Sequence, residues 1–333
     1  MTPLLAVEHL RVELGTRRGA LVAVDDVSFE IARGEVLGLV GESGAGKSLT
    51  GTAIIGLLDP PLRMTGGRIL LAGRRIDDLP PEAMRALRGK HIGAVFQDPL
   101  TSLNPLLTVG RQLVQTIITH LDIPAYEARE RARQLLAEVG IPAPRERLDS
   151  YPHELSGGMR QRVVLALAFA CEPTLVVADE PTTALDVSIQ AQVIELLKRM
   201  CRERGTAVLL ITHDMGVIAE TADRVAVMYA GRLVEIGSLR RALLQPFHPY
   251  TRGLMTSIPR MKVRGRALPQ IEGSMPRLDA LPEGCAFYPR CPDRLPRCAL
   301  DRPQMVPSGD AAIACWLTGP DPGNAQEEAA VRA

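Results

Sequence analysis

The run Gly41-Glu42-Ser43-Gly44-Ala45-Gly46-Lys47-Ser48 fits the spacing G-x-x-x-x-G-K-[ST], a loop that cradles nucleotide phosphates. Each residue type serves that chemistry. Gly41, Gly44 and Gly46, with the small Ser43 between them, let successive backbone N–H groups face an anion. Lys47 can reach the β- and γ-phosphates, and the Ser48 hydroxyl can ligate Mg²⁺. Leu49 starts the following helix, whose N-terminus adds its positive dipole end, and it is counted with the nucleotide-binding residues. A second feature is the acidic pair Asp179-Glu180, directly after the apolar run Leu175-Val176-Val177-Ala178. An aspartate at the end of a buried strand supplies the second Mg²⁺ contact, beside the loop serine. The adjacent Glu180 is suited to orient and deprotonate an attacking water.

These residues need strands and helices in alternation to present them. The apolar run 36–40 predicts a buried strand before the loop, and residues 49–58 predict a helix despite Gly51 and Gly56. Residues 4–14 and 21–31 read as strands with a turn at 15–19, and 70–76 as a strand or hairpin arm around Gly73. From about 98 to 165 the pattern is helical, and 126–139 fits an amphipathic helix stopped by Gly140 and Pro142. Residues 175–178 and 208–211 read as buried parallel strands. Between them, residues 187–203 place Ile189, Val193, Leu196, Leu197 and Met200 on one helical face, and Gly205 ends the helix. Residues 225–229 and 233–236 flank Ala230-Gly231-Arg232 as a hairpin. The alternation predicts an α/β core. After about residue 237, Pro, Arg and Cys become frequent and periodicity weakens. Residues 238–317 therefore read as a loop-rich appendage, and 318–333 as a disordered tail.

The 333 residues are enough for two to three domains, and a 46% apolar content supports a large core. A net charge of +1 argues against a nucleic-acid footprint, so nucleic acid is not an expected partner. No apolar run is long enough to span a bilayer and no signal peptide is visible, so the expected compartment is the cytosol. Of six cysteines, Cys171 and Cys201 fall in helix-like segments and read as small buried hydrophobes. Cys285, Cys291, Cys298 and Cys315 cluster near the C-terminus with spacing C-x5-C-x6-C-x16-C. A reducing cytosol disfavours disulfides, so four clustered cysteines point to a metal site. Structural zinc sites usually contain tight C-x2–4-C pairs, which this pattern lacks, and iron–sulfur clusters use more varied spacing. Cluster, zinc and unliganded thiols all stay open on spacing alone.

The segment Leu155-Ser156-Gly157-Gly158-Met159-Arg160-Gln161-Arg162 resembles the LSGGQ signature of ABC ATPases. Glu180-Pro181-Thr182 through Asp186 resembles the end of their Walker B motif and their D-loop, Val95-Phe96-Gln97-Asp98-Pro99 their Q-loop, and Thr212-His213-Asp214 their switch histidine. The motifs stand in the family's order. The resemblance implies an ABC-type P-loop NTPase over residues 1–237: a RecA-like core, an N-terminal antiparallel β subdomain, and a helical subdomain at about 98–165. It implies ATP and Mg²⁺ as ligands. Gln97 would sense Mg²⁺ and the water, and His213 would contact the γ-phosphate and hold Glu180. Ser156, Gly157 and Gly158, at a helix N-terminus, would face the nucleotide of a second, identical or homologous ATPase subunit, and Asp186 would touch that subunit. Many members stack an aromatic residue on adenine; here the corresponding stretch, Leu10 to Leu14, has none, and Leu14 is expected to pack on the base instead.

Gln245-Pro246-Phe247-His248-Pro249-Tyr250-Thr251-Arg252 and Gly284-Cys285-Ala286-Phe287-Tyr288-Pro289-Arg290-Cys291-Pro292 resemble the C-terminal extension of oligopeptide and dipeptide importer ATPases. The same extension occurs in nickel-importing relatives, so nickel or another small solute is the alternative cargo; a soluble ABC ATPase acting on nucleic acid is the remote one. The branch implies a cysteine-rich extension at 238–317 carrying a [4Fe–4S] cluster on Cys285, Cys291, Cys298 and Cys315, with zinc as the alternative. It also implies two permease subunits, an extracytoplasmic solute-binding protein reached through the complex, and a peripheral place on the cytoplasmic face of the bacterial inner membrane.

Overall fold

Side-chain alternation along short apolar strands sets the architecture, because each strand of the central sheet must satisfy a core on both faces. The computed structural model describes residues 2–17, 19–183, 185–256 and 270–317. The tail expected to be disordered lies outside the described residues. The central sheet has five parallel strands: β3 (Val36–Val40), β6 (Ile92–Val95), β7 (Leu175–Asp179), β8 (Ala207–Thr212) and β9 (Arg224–Tyr229). Antiparallel β10 (Arg232–Ser238), β11 (Val306–Ser308) and β12 (Ala311–Ile313) extend it to eight strands, in the order β11-β12-β10-β9-β3-β8-β7-β6. Leu37, Leu39, Leu175, Val177, Leu209 and Ile211 face one core. Their neighbours Val36, Val40, Val176, Ala178, Val208 and Leu210 face the other.

The first core is roofed by an antiparallel sheet of β1 (Leu5–Thr16), β2 (Gly19–Ile31), β4 (Leu62–Leu71) and β5 (Arg74–Arg75), in the order β2-β1-β4-β5. Leu5, Val7, Leu10 and Val12 project into it, together with Ile54 of α1 (Lys47–Ile54) and Met84 of α2 (Pro81–Leu87). The expected arm at 70–76 is thus the end of a longer strand that begins at Leu62, with a turn back into β5. The helix expected at 49–58 ends earlier, at Ile54.

The second core is covered by helices. Between residues 98 and 165 lie α3 (Pro99–Ser102), α4 (Val109–His120), α5 (Ala125–Glu138) and α6 (Pro144–Arg147), followed by α7 (Gly157–Ala168). Leu113 and Ile117 of α4, Ala132 and Leu136 of α5, and Val163 and Leu165 of α7 share this core with Val193 and Leu197 of α8 (Val187–Arg204). Next come α9 (Met215–Thr221), α10 (Leu239–Leu244), α11 (Pro249–Thr256) and α12 (Arg297–Leu300). The described residues of 238–317 hold little regular secondary structure, but they are not merely appended. Their final hairpin pairs with β10, Glu235 opposite Ile313 and Ile236 opposite Ala312, and so caps the edge of the central sheet.

Leu209 is fully buried at the middle of β8. Leu209→Ala is expected to lower unfolding stability by about 2–5 kcal/mol, whereas Leu300→Ala, at an exposed position of α12, should stay within about 0.5 kcal/mol. Urea midpoints for the two variants check this directly.

Candidate active site

The topology collects the chemistry-bearing residues at one edge. Strands β3, β8, β7 and β6 are consecutive neighbours and run parallel, so their carboxyl ends lie side by side. The phosphate loop follows β3, Thr212 closes β8 and His213 follows it, Asp179 closes β7 and Glu180 follows it, and Gln97 lies just past β6. Clefts at such strand ends are where parallel α/β sheets bind ligands.

Two glycines make the loop possible. Gly41 has φ 153°, and a Cβ there would sit 2.2 Å from the Met228 carbonyl oxygen. Gly46 caps α1 with φ 101°, which a side chain would disfavour. Ser43, Gly44 and Ser48 are exposed, and Leu49 is half-buried against the first core. Lys47 is buried, and its Nζ donates to the carbonyls of Gly41 at 2.8 Å and Glu42 at 3.0 Å. Burial pushes the ammonium pKa down, against the pull of Glu180, Asp179 and Glu42. Asp179 is shifted the other way: burial raises its carboxyl pKa, countered by a hydrogen bond from the Ser48 hydroxyl. Its Oδ1 is buried with no hydrogen-bond partner. An orphaned carboxylate oxygen beside a serine hydroxyl is a donor set that suits Mg²⁺, so the residues present fit that ion.

Glu180 adopts φ 46°, a left-handed conformation rare for its type. This sharp turn after β7 brings three side chains onto one carboxylate. Gln97 Nε2 donates to Oε2 at 2.9 Å, Thr183 Oγ1 donates to the same oxygen at 2.8 Å, and His213 Nδ1 lies 2.9 Å from Oε1. Burial opposes ionisation of Glu180, but the hydrogen bonds from His213 and Thr183 outweigh it and hold the carboxyl below its ordinary range. The arrangement holds an anionic carboxylate beside a buried ammonium and a cation-ready aspartate, the equipment for phosphoryl transfer to water. Thr183 is the member of this group to which the sequence reading gave no role. Its only signal was its place three residues after Glu180.

Other expected site residues stand apart. Ser156 caps α7, accepting from the Met159 N–H at 3.3 Å, and Ser156 and Gly157 are exposed. Gly158 packs toward Ile189 of α8. Asp186 is exposed at the start of α8 and its side chain does not cap the helix. Among the described residues no hydrogen bond or ion pair joins Ser156, Gly157, Gly158 or Asp186 to the phosphate loop. Leu14 is half-buried in the ladder between Leu21 and Leu62.

The metal expectation at the cysteines is not supported. Cys285, Cys291, Cys298 and Cys315 line one narrow cleft with His248, Phe287, Tyr288 and Trp316. Yet among the described residues no group of three or more His, Cys, Asp or Glu side chains is placed to hold a metal ion. Burial pushes the Cys285 thiol up to about 11 and raises Cys291 and Cys315 as well. As placed, the four thiols pack among aromatic rings, and no grouping of them that would hold a [4Fe–4S] cluster or zinc is found among the described residues. His248 is a turn residue: it is buried, its Nδ1 accepts from the Tyr250 N–H at 3.0 Å, and its pKa falls to about 3 through burial.

The sequence matches the ABC transporter family over residues 24–183. It matches the family described as oligopeptide/dipeptide transporter, C-terminal region, over residues 234–298. It is 48% identical to the dipeptide transport ATP-binding protein DppD of Bacillus subtilis, over 95% of this chain and 95% of that protein. It is 48% identical to the oligopeptide transport ATP-binding protein OppD of Salmonella typhimurium, over 94% of this chain and 93% of that protein. Among solved structures it resembles a dimeric ATP-binding cassette in a post-hydrolysis state bound to ADP and Pi, with TM-score 0.64 and 28% identity over 71% of this chain and 99% of that one. The antiparallel β subdomain on a P-loop α/β core is the ABC ATPase fold. On both the alignment and the fold, this chain belongs to the ABC transporter ATPases, in their oligopeptide and dipeptide branch.

Proposed function

We propose that this chain is the ATP-binding and ATP-hydrolysing subunit that powers an ABC importer for dipeptides or oligopeptides. The observation that carries the reading is the convergence of Lys47, Asp179, Glu180, Gln97 and His213 at the ends of four neighbouring strands. The cargo class is supported by relatives that are dipeptide and oligopeptide transport ATP-binding proteins.

In this reading Gly41, Ser43, Gly44, Gly46, Lys47, Ser48 and Leu49 form the nucleotide cradle. Lys47 turns from the loop carbonyls to the phosphates. Ser48 and Asp179, with Gln97, hold Mg²⁺, which supplies charge neutralisation at the phosphates. Glu180 takes the proton of the attacking water, and His213 holds Glu180 in position. Leu14 packs on the base. Ser156, Gly157, Gly158 and Asp186 serve a second ATPase subunit; the exposure of Ser156, Gly157 and Asp186 in the single chain supports this, as does the dimeric cassette of the same fold. Closure of that dimer on ATP drives two permease subunits. Phe96, Leu100 and Leu106 are exposed apolar side chains close to Gln97 in the sequence and form a suitable docking surface for them. No helix among the described residues is long and apolar enough to cross a membrane. In this reading the chain associates through the permease at the cytoplasmic face of the inner membrane, with the solute-binding protein on the far side. Residues 1–237 act as the ATPase unit and 238–317 as the branch-specific extension. A [4Fe–4S] cluster, or zinc, at Cys285, Cys291, Cys298 and Cys315 rests on the shared cleft alone. A metal held there would tie the extension together.

Glu180→Gln keeps the size and shape of the side chain and removes the base. ATP binding should persist while hydrolysis falls by at least about 100-fold, the scale of general-base catalysis, and steady-state phosphate release against nucleotide binding measures both. Asp179 gives a stability test. Its folded-state pKa is raised, so its stabilising effect is complete below the ordinary value of 3.8 and is lost as pH rises through the folded value. At neutral pH the buried charge therefore destabilises the nucleotide-free protein. Asp179→Asn should raise the melting temperature without nucleotide at pH 7 and abolish Mg²⁺-dependent turnover, and the melting gain should shrink as pH falls toward 3.8. Protein purified without oxygen and assayed for iron, sulfide and zinc tests the cysteines. The cluster reading expects about four irons per chain and a broad band near ~400 nm, and a metal-free sample sinks it.

A further inference from the structure

Two residues far along the chain close on the phosphate loop. Arg290 donates from Nη1 to Glu42 Oε2 at 2.6 Å and from Nη2 to Glu42 Oε1 at 2.9 Å. This two-pronged fit is the strong form of the arginine–carboxylate pair. The Arg290 side chain is 6% exposed. It is fixed on its other edges by the carbonyls of Glu272, Ile271 and Gly273 and lies over the Tyr229 ring. Tyr250 takes the backbone: its hydroxyl accepts from the Glu42 N–H at 2.8 Å. Tyr250 is fully buried and packs against Tyr229 and Phe287. Glu42 is thus held at both side chain and backbone by the C-terminal segment.

Position 42 is a variable site in the loop pattern, and a carboxylate there meets an incoming triphosphate with like charge. The carbonyls of Gly41 and Glu42 are also the ones that hold Lys47 Nζ. An unpaired Glu42 would repel phosphate and draw the Lys47 ammonium toward itself. Resting on the ATP-site reading above, we propose that Arg290 and Tyr250 are positioning residues for nucleotide binding. They neutralise and fix Glu42, and through it the C-terminal segment sets the affinity of the phosphate loop for ATP.

The pair predicts a rescue. Removing one partner of a half-buried ion pair leaves an uncompensated charge, whereas removing both does not. In the full-length chain, Arg290→Gln should raise the Kd for MgATP about tenfold, with kcat at saturating ATP within about twofold of wild type. Glu42→Gln combined with Arg290→Gln should return Kd to within about threefold of wild type. A merely structural anchor would lower stability and kcat together and would not be rescued by changing Glu42. Wild-type affinity in Arg290→Gln, or a double variant that binds no better than the single, overturns the proposal. Should Arg290→Gln fail to fold, Tyr250→Phe removes one oxygen and keeps the ring packing. A Kd raised about threefold supports the proposal on the scale of one hydrogen bond, and unchanged affinity overturns it. Lys47→Ala in the same assay separates the two readings: if it binds MgATP like wild type, the ATP site itself is misassigned.

Discussion

A buried ammonium facing two carboxylates is the constraint on which the site depends. Lys47 is taken out of water at the start of α1, and Asp179 and Glu180 stand at the end of a strand two places away from β3 in the sheet. Burial alone would drive all three toward neutrality. Their opposite charges and the hydrogen bonds from Ser48, Thr183 and His213 oppose that, most fully at Glu180. Such a group needs strands of fixed spacing beneath it, and the doubly cored parallel sheet supplies them. The orphaned Oδ1 of Asp179 and the left-handed turn at Glu180 are two departures from ordinary folding rules that lie in the site.

The C-terminal segment is bound into this arrangement at both ends. Its final hairpin covers the edge of β10, while Tyr250 and Arg290 reach the phosphate loop itself. An aromatic cluster of Tyr229, Tyr250, His248 and Phe287 joins the two, packing the end of β9 against α11 and the turn at Tyr288–Arg290. That turn runs into Cys291, which with Cys285, Cys298 and Cys315 lines the adjoining cleft. A segment poor in regular secondary structure is ordered here by rings, one bidentate ion pair and a shared sheet edge.

Much of the core was legible because the strands carry the full apolar runs of elements buried on two faces. Residues 175–178 and 208–211 could hardly be placed elsewhere. β6 was harder to read: four residues with Gly93 in the second position give too short a run for any period to show. α1 ends early because Gly56 takes a left-handed φ of 65° just past its last turn, whereas in the sequence Gly56 reads only as a tolerated interruption. The final hairpin was invisible because β11 and β12 are three residues each, and Pro307 weakens the first as a strand.

The sequence by itself determined the chemistry of the ATP site, because phosphate binding, metal ligation and proton abstraction each require particular residue types at short spacing. Gly41 to Ser48 and Asp179-Glu180 are local patterns, and local patterns survive in one dimension. Only the tertiary structure decided which distant side chains those residues meet. Gln97 meets Glu180, Tyr250 and Arg290 share Glu42, and the four clustered cysteines share a cleft with no metal-holding group among the described residues. Contacts across some two hundred residues are set by strand order and by the packing of aromatic rings, and neither leaves a periodic trace in the chain.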